Sequence, residues 1–139
     1  MANGGTADGA KPLSRGSLAA RRALPVVAWL FAAALLGQVL TAGMAVFVGP
    51  GWWVRHREWV HAFEWLSVAA VVLAHVGRLP RSVPLLAWAT VALLYVQYAT
   101  IGMRERGGPL ALAALHPVSA VLLFWTSVEL ARRARVSAR

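Results

Sequence analysis

The sequence predicts an all-α protein, four transmembrane helices in an up-down-up-down bundle. Three features point to it. The 139 residues are 59% hydrophobic with a mean hydropathy of +0.61, too apolar for a soluble domain of this size. The apolar residues gather in four runs long enough to cross a bilayer. The breaks between runs are short and rich in Gly, Pro, Arg and Trp, so successive helices should pack antiparallel.

Residues 1–22 are Gly-, Ala- and Ser-rich without a periodic apolar face, which predicts a disordered or surface-lying basic tail. Ala23–Val48 then runs 26 positions without a charge. At 1.5 Å per residue that is about 39 Å of helix, enough to cross roughly 30 Å of hydrocarbon with some tilt. The run is too long for the apolar region of a secretory signal, so it predicts a first membrane helix. On it Ala33, Gly37, Thr41 and Ala45 form a small-residue ladder at spacing four, which would let another helix approach closely. Gly49-Pro50-Gly51 ends the helix. The stretch 52–58 predicts an interfacial loop, where tryptophan rings suit the headgroup layer. The second helix is expected over 59–76, a basic turn over 77–82, the third helix over 83–103 and a loop over 104–108. The fourth is expected over 109–130, opening on Pro109, whose missing N–H costs nothing in a first turn. A basic tail, 132–139, closes the chain, and no internal repeat stands out along it.

Ten of the 14 Lys and Arg fall in the N-terminal tail, the 77–82 turn and the C-terminal segment, against four in the other two loops. The positive-inside rule then predicts both termini cytoplasmic. The net charge of +9 sits in short clusters beside apolar runs. That pattern fits anionic lipid headgroups; no basic patch has a folded module with which to grip nucleic acid. With no cysteine, the chain offers no disulfide, thiolate metal site, iron–sulfur cluster or covalent c-type haem link. No nucleophile–base set, glycine-rich phosphate loop or carboxylate pair is present, so an enzymatic activity of its own is not expected.

The informative residues are polar ones inside apolar runs, because an ionisable group at membrane depth is costly and defaults to a functional hypothesis. At 100° per residue, His61, Glu64 and His75 share one face of the second helix. Counted from the expected helix ends, His61 and Glu64 lie about 3–8 Å down, His116 about 10 Å, Gln97 about 6 Å and Gln38 about 15 Å. These five side chains from four helices therefore share the outer half of the bilayer, with Arg104 topping the face that carries Gln97. His75 lies near the inner end without a side-chain partner, and His56 falls in the loop. Beneath His116 come Ser119 and Ala120, which leave room for something flat, and Pro117 frees the carbonyl of Ala113 and predicts a kink. Helices two and four are diagonal in such a bundle, so His61 and His116 would face each other. That is the geometry for a b-type haem between two axial imidazoles, with Arg55, Arg57, Arg104 and Arg106 near its propionates. The alternatives are an interhelical hydrogen-bond network and a two-histidine, one-carboxylate metal site from His61, His116 and Glu64.

The run 26–134 resembles a family of small, functionally uncharacterised four-helix membrane proteins common in bacteria. The resemblance lies in VHAFEWL opening helix two, the LPRSVP turn, LLYVQYA in helix three and LHPVSAVLLF in helix four. It implies that His61, Gln97, His116 and Pro117 belong to a shared pattern, and it implies no activity. The chain departs from that pattern at Trp65, where Gly is expected, and at Ser119, where Asn is expected. The paired histidines also look like the haem-holding units of b-type cytochromes and haem A synthase, on architecture alone. Two functions follow as expectations. One is a non-catalytic accessory subunit docking a larger membrane complex through the helix-one ladder. The other is a haem protein serving electron transfer.

Overall fold

The computed structural model describes residues 12–137. Among them the fold is all-helical, and four spans are long and apolar enough to cross a membrane. The first is α1 (Arg15–Phe47), and the second is α2 (Trp52–Phe63) continued by α3 (Trp65–Val76). The third is α4 (Ser82–Glu105), and the fourth is the short α5 (Leu110–Ala113) continued by α6 (Leu115–Ser137). Sequential spans pack together, the fourth returns to the first, and the diagonal pairs α1/α4 and α3/α6 do not meet. The result is a ring of antiparallel neighbours, the up-down-up-down bundle. Its proximal end carries both ends of the described chain and the 77–81 turn; its distal end carries the 48–51 and 106–109 connections.

Three boundaries move from their sequence expectations. α1 begins at Arg15, because Ser14 Oγ accepts the Ser17 N–H at 3.1 Å as an N-cap. Residues 15–22 are therefore helical rather than a tail, while 1–11 lie outside the described residues. The stretch 52–58 is the first half of the second span, not a loop. The fourth span continues through the arginines to Ser137, and 138–139 lie outside the described residues. It is interrupted at Ala114, three residues ahead of Pro117, whose ring supplies no N–H to the Ala113 carbonyl.

The core narrows from one end to the other. A proximal cluster of small residues and leucines (Leu24, Ala28, Ala74, Val83, Ala87 and Leu130 among them) draws the four helices close. A middle cluster follows, built on Phe31, Leu35, Phe63, Leu94 and Leu123, with Phe31 and Phe63 edge-to-face at 5.6 Å between ring centroids. Beyond that level Ala45 is the one buried apolar residue among those described, and the space between the spans belongs to polar side chains. At the proximal end Arg21 donates to the carbonyls of Gly77 (2.8 Å) and Arg78 (3.1 Å), so a cation closes the C-terminal end of α3.

The two helical hairpins repeat each other, which corrects the expectation of no internal repeat. Displaced by 59 positions, residues 25–50 and 84–109 are identical at eleven of 26 sites, including Gln38/Gln97, Thr41/Thr100, Met44/Met103 and Pro50/Pro109. After one inserted residue the displacement becomes 60 and pairs His56/His116, Trp65/Trp125 and Ser67/Ser127. Burial obeys the same pairing: Leu24/Val83, Ala28/Ala87, Phe31/Thr90 and Leu35/Leu94 on one helix, Phe63/Leu123, Ser67/Ser127 and Ala74/Ala134 on the other. Even the turns match. Gly49 N–H donates to Met44 O at 3.1 Å, and Gly108 N–H to Met103 O at 2.8 Å. Since both hairpins run the same way, a half-turn about the bundle axis exchanges them.

The helix-one ladder is used inside this fold. A Cβ on Gly37 would stand 2.9 Å from Trp59 Nε1, the indole nitrogen that donates to Ala34 O at 2.9 Å. Gly37→Ala should therefore push the indole off its acceptor and cost about 1–3 kcal/mol. Gly43→Ala, which meets nothing within 4 Å, should be neutral or mildly stabilising in a helix interior. Denaturant unfolding of the two variants in detergent checks the pair; equal stabilities would disprove the role given to Gly37.

Candidate functional site: a paired imidazole cluster at the distal end

The distal polar region is built from two copies of one arrangement. In the first, α1 presents Gln38 and, one turn on, Thr41, while α2 brings His56 against them. His56 Nδ1 lies 3.1 Å from Gln38 O and 3.2 Å from Thr41 Oγ1, and the threonine hydroxyl donates to the same carbonyl at 2.9 Å. In the second, His116 Nδ1 lies 3.2 Å from Gln97 O and 3.2 Å from Thr100 Oγ1, and Thr100 donates to Gln97 O at 2.9 Å. A carbonyl oxygen can only accept, so in both copies Nδ1 carries the proton and Nε2 is left as the basic nitrogen. The two imidazoles belong to the diagonal second and fourth spans, at the same end of the bundle.

The copies differ in how the glutamine amide is used. Gln38 Nε2 donates to His56 O at 3.0 Å and lies 3.1 Å from His56 Nε2. Its carbonyl oxygen is buried without a partner, an orphaned polar atom of the kind that calls for an explanation. Gln97 Nε2 instead donates to Ser119 Oγ at 2.7 Å, and no hydrogen bond among the described residues reaches His116 Nε2. Ser119 stands where the first hairpin has Trp59.

Of the residues singled out from sequence, Gln38, Gln97 and His116 come together here. His61 does not. Its side chain is 62% exposed, and Nδ1 lies 3.3 Å from Glu64 Oε1 on the flank between the second and third spans. The reason is helical phase: once the span begins at Trp52, the inward stripe runs through His56, Phe63 and Ser67, and His61 falls outside it. Glu64 leaves the cluster with His61, so the His61–Glu64–His116 metal site is not assembled. Among the described residues no three His, Cys, Asp or Glu side chains converge as metal ligands. Arg104 is exposed at the distal rim with no acidic partner among the described residues. His75, expected to be unpartnered, accepts a hydrogen bond from Trp88 Nε1 at 3.3 Å. The residue missed is His56. The signal was in the sequence, since Q-x-x-T-x-G-M followed by Gly-Pro and then His occurs twice and puts His56 opposite His116.

Comparison with known proteins adds a family and no activity. Residues 38–103 match a family of unknown function, DUF6220. The match opens on Gln38 and closes on Met103, covering the first Gln/Thr/His set and the Gln and Thr of the second. Neither the curated proteins nor the solved structures provide a match.

The equivalence of the copies can be measured. Thr41→Val and Thr100→Val each remove one hydroxyl from an otherwise identical triad. Each should cost about 0.5–2 kcal/mol, the scale of an interhelical hydrogen bond in a membrane protein. Unequal effects, with one variant silent, would show by denaturant unfolding that only one triad is formed.

Proposed function

We propose that this small multi-pass membrane protein binds a b-type haem between His56 and His116 at the distal end and serves electron transfer. The observation that carries it is the duplicated triad. A histidine that ligates a metal nearly always donates its other ring N–H to a carbonyl, carboxylate or water, and both imidazoles here do so. Two imidazoles cannot complete a tetrahedral zinc site. They are the full protein complement for an iron whose equatorial positions a porphyrin already fills.

Three further features support the fit. The apolar core ends below the histidines, so the distal spans are not sealed together by packed side chains. The pair spans the bundle diagonal, and a flat group on the axis is compatible with near-equivalent hairpins. Arg57, Arg104 and Arg106 at the same end have no acidic partner among the described residues and can meet propionates. Bound haem would supply a one-electron couple; the chain's own part is to fix both Nδ1 protons and to set the dielectric around the site. The Gln38 amide has to turn away from His56 Nε2 on binding, which would release its orphaned oxygen from burial. Gly37 and Thr41 of the helix-one ladder engage Trp59 and His56 within the bundle, so the accessory-subunit reading rests on small size and the absence of a catalytic set.

The visible spectrum of the detergent-purified protein, expressed with excess haem and read before and after dithionite, tests this. His56→Ala and His116→Ala should each abolish or severely reduce the haem bands. His61→Ala and His75→Ala should leave them nearly unchanged. A colourless parent protein sinks the proposal. The charge distribution makes a separate demand. With ten of 14 basic residues in the N-terminal segment, the 77–82 turn and the C-terminal segment of the sequence, both termini should be cytoplasmic and the 104–108 segment on the opposite side. Reporter fusions at residue 139 and within 104–108 read this directly, and a non-cytoplasmic C-terminus would invert the side on which the histidines lie.

A further inference from the structure

A second polar constellation lies outside the paired-histidine site, on the flank where the second and third spans meet. Tyr98 O–H donates to Glu64 Oε2, and Glu64 Oε1 lies 3.3 Å from His61 Nδ1. The His61 and Tyr98 rings are nearly parallel, 6.0 Å between centroids and 13° between planes. The cluster does not point into the bundle: the His61 side chain is 62% and the Glu64 side chain 23% exposed. Trp65, one helical turn on from His61, is 69% exposed, and Tyr95, one turn before Tyr98, is 74% exposed. Nor does it lie at the distal rim. Tyr98 is six residues before Arg104, about 9 Å deeper along α4.

A carboxylate facing acyl chains is costly, and apolar side chains would fill the place more cheaply. Its partners within the chain are a phenol and an imidazole, both able to change roles. Tyr98 O–H can turn to donate to a ligand carbonyl, and Glu64 can then accept from a ligand hydroxyl. A phosphate headgroup is disfavoured by the carboxylate. The chemistry that fits is a neutral, membrane-soluble ring bearing hydroxyl or carbonyl oxygens, flanked by exposed aromatic faces.

We propose that His61, Glu64 and Tyr98 form a lateral binding site for the headgroup of a lipid-soluble quinone or hydroquinone, entered from the bilayer. Glu64 accepts from a ring hydroxyl, Tyr98 donates to a ring oxygen, and Trp65 borders the approach. No electron or proton transfer step is part of the assignment, so it stands apart from the haem reading and survives its failure. The site does sit beside the second triad, since Tyr98 follows Gln97 on α4.

The test uses full-length protein in phosphatidylcholine vesicles, titrated with a decyl-substituted benzoquinone and its hydroquinone. Tryptophan fluorescence is the readout, because the quinone quenches indole emission and Trp65 adjoins the site. Saturable quenching by the quinone, relieved by competing hydroquinone, is expected. Tyr98→Phe should weaken the quinone's quenching about tenfold, and Glu64→Gln should weaken the hydroquinone's competition by a similar factor, each the loss of one hydrogen bond. Gly43→Ala, at a position where a Cβ meets nothing within 4 Å, should leave both unchanged. Linear, non-saturating quenching that is the same in Tyr98→Phe as in the parent would mean simple partitioning and would overturn the proposal. Should Glu64→Gln fail to fold by circular dichroism, Tyr98→Phe decides alone, since it removes only a hydroxyl. Competition by a long-chain alcohol as effective as the hydroquinone would also overturn it, because the ring would then not be recognised.

Discussion

The distal half of this bundle depends on one interaction made twice, an imidazole Nδ1–H donated to a helix carbonyl on the neighbouring span. Within a helix that carbonyl already accepts from the residue four positions on, and its second lone pair is free to take more. The threonine one turn later, Thr41 or Thr100, adds its hydroxyl to the same oxygen. Three donors therefore converge where a bilayer offers no water to compete. The histidines fix the pairing of first with second and third with fourth span near the distal end. Proximally, close-packed alanines and leucines suffice.

That division explains the taper. Where Ala28, Ala74, Ala87 and Ala134 meet, backbones approach closely and the spans leave no room for a ligand. Where Phe31, Phe63 and Leu123 take over, larger side chains fill the space between the helices. Above them the polar side chains, not apolar packing, hold the spans together. The exposed apolar residues around the bundle's circumference, Val39, Leu85 and Trp125 among them, have lipid as their natural solvent.

The repeat ties the two halves into one design with deliberate differences. Trp59 fills the first hairpin against Gly37, while the second has Ser119 and Val96 at the equivalent positions. His75 takes an indole N–H from Trp88, whereas its counterpart Arg135 joins the basic proximal end. Neither Glu64 nor Tyr98 has a polar counterpart, since Phe124 and Val39 stand in their places. Near-symmetry thus belongs to the axial site and asymmetry to the flank.

The sequence by itself determined the number of spans, their antiparallel order and the end at which the polar residues gather. Those properties follow from hydropathy, run length and short connections, and each is local. It also held the repeat, legible in Q-x-x-T-x-G-M but easily passed over, because most of its other identities are alanine, leucine and glycine, common in any membrane helix. What it did not determine was which histidine faces inward. Placing the second helix at Trp59 in place of Trp52 left the face of His61 open to the wrong assignment, because Trp, Arg and Glu between 52 and 58 read as a loop by composition. Only packing resolved it. Phe63 and Ser67 are held in the core by Phe31 and the facing helices, and at 100° per residue that phase turns His56 toward Gln38 and sends His61 out to Tyr98. A helix fixes the angles between its own side chains; the neighbouring helices decide which of those angles points at the axis.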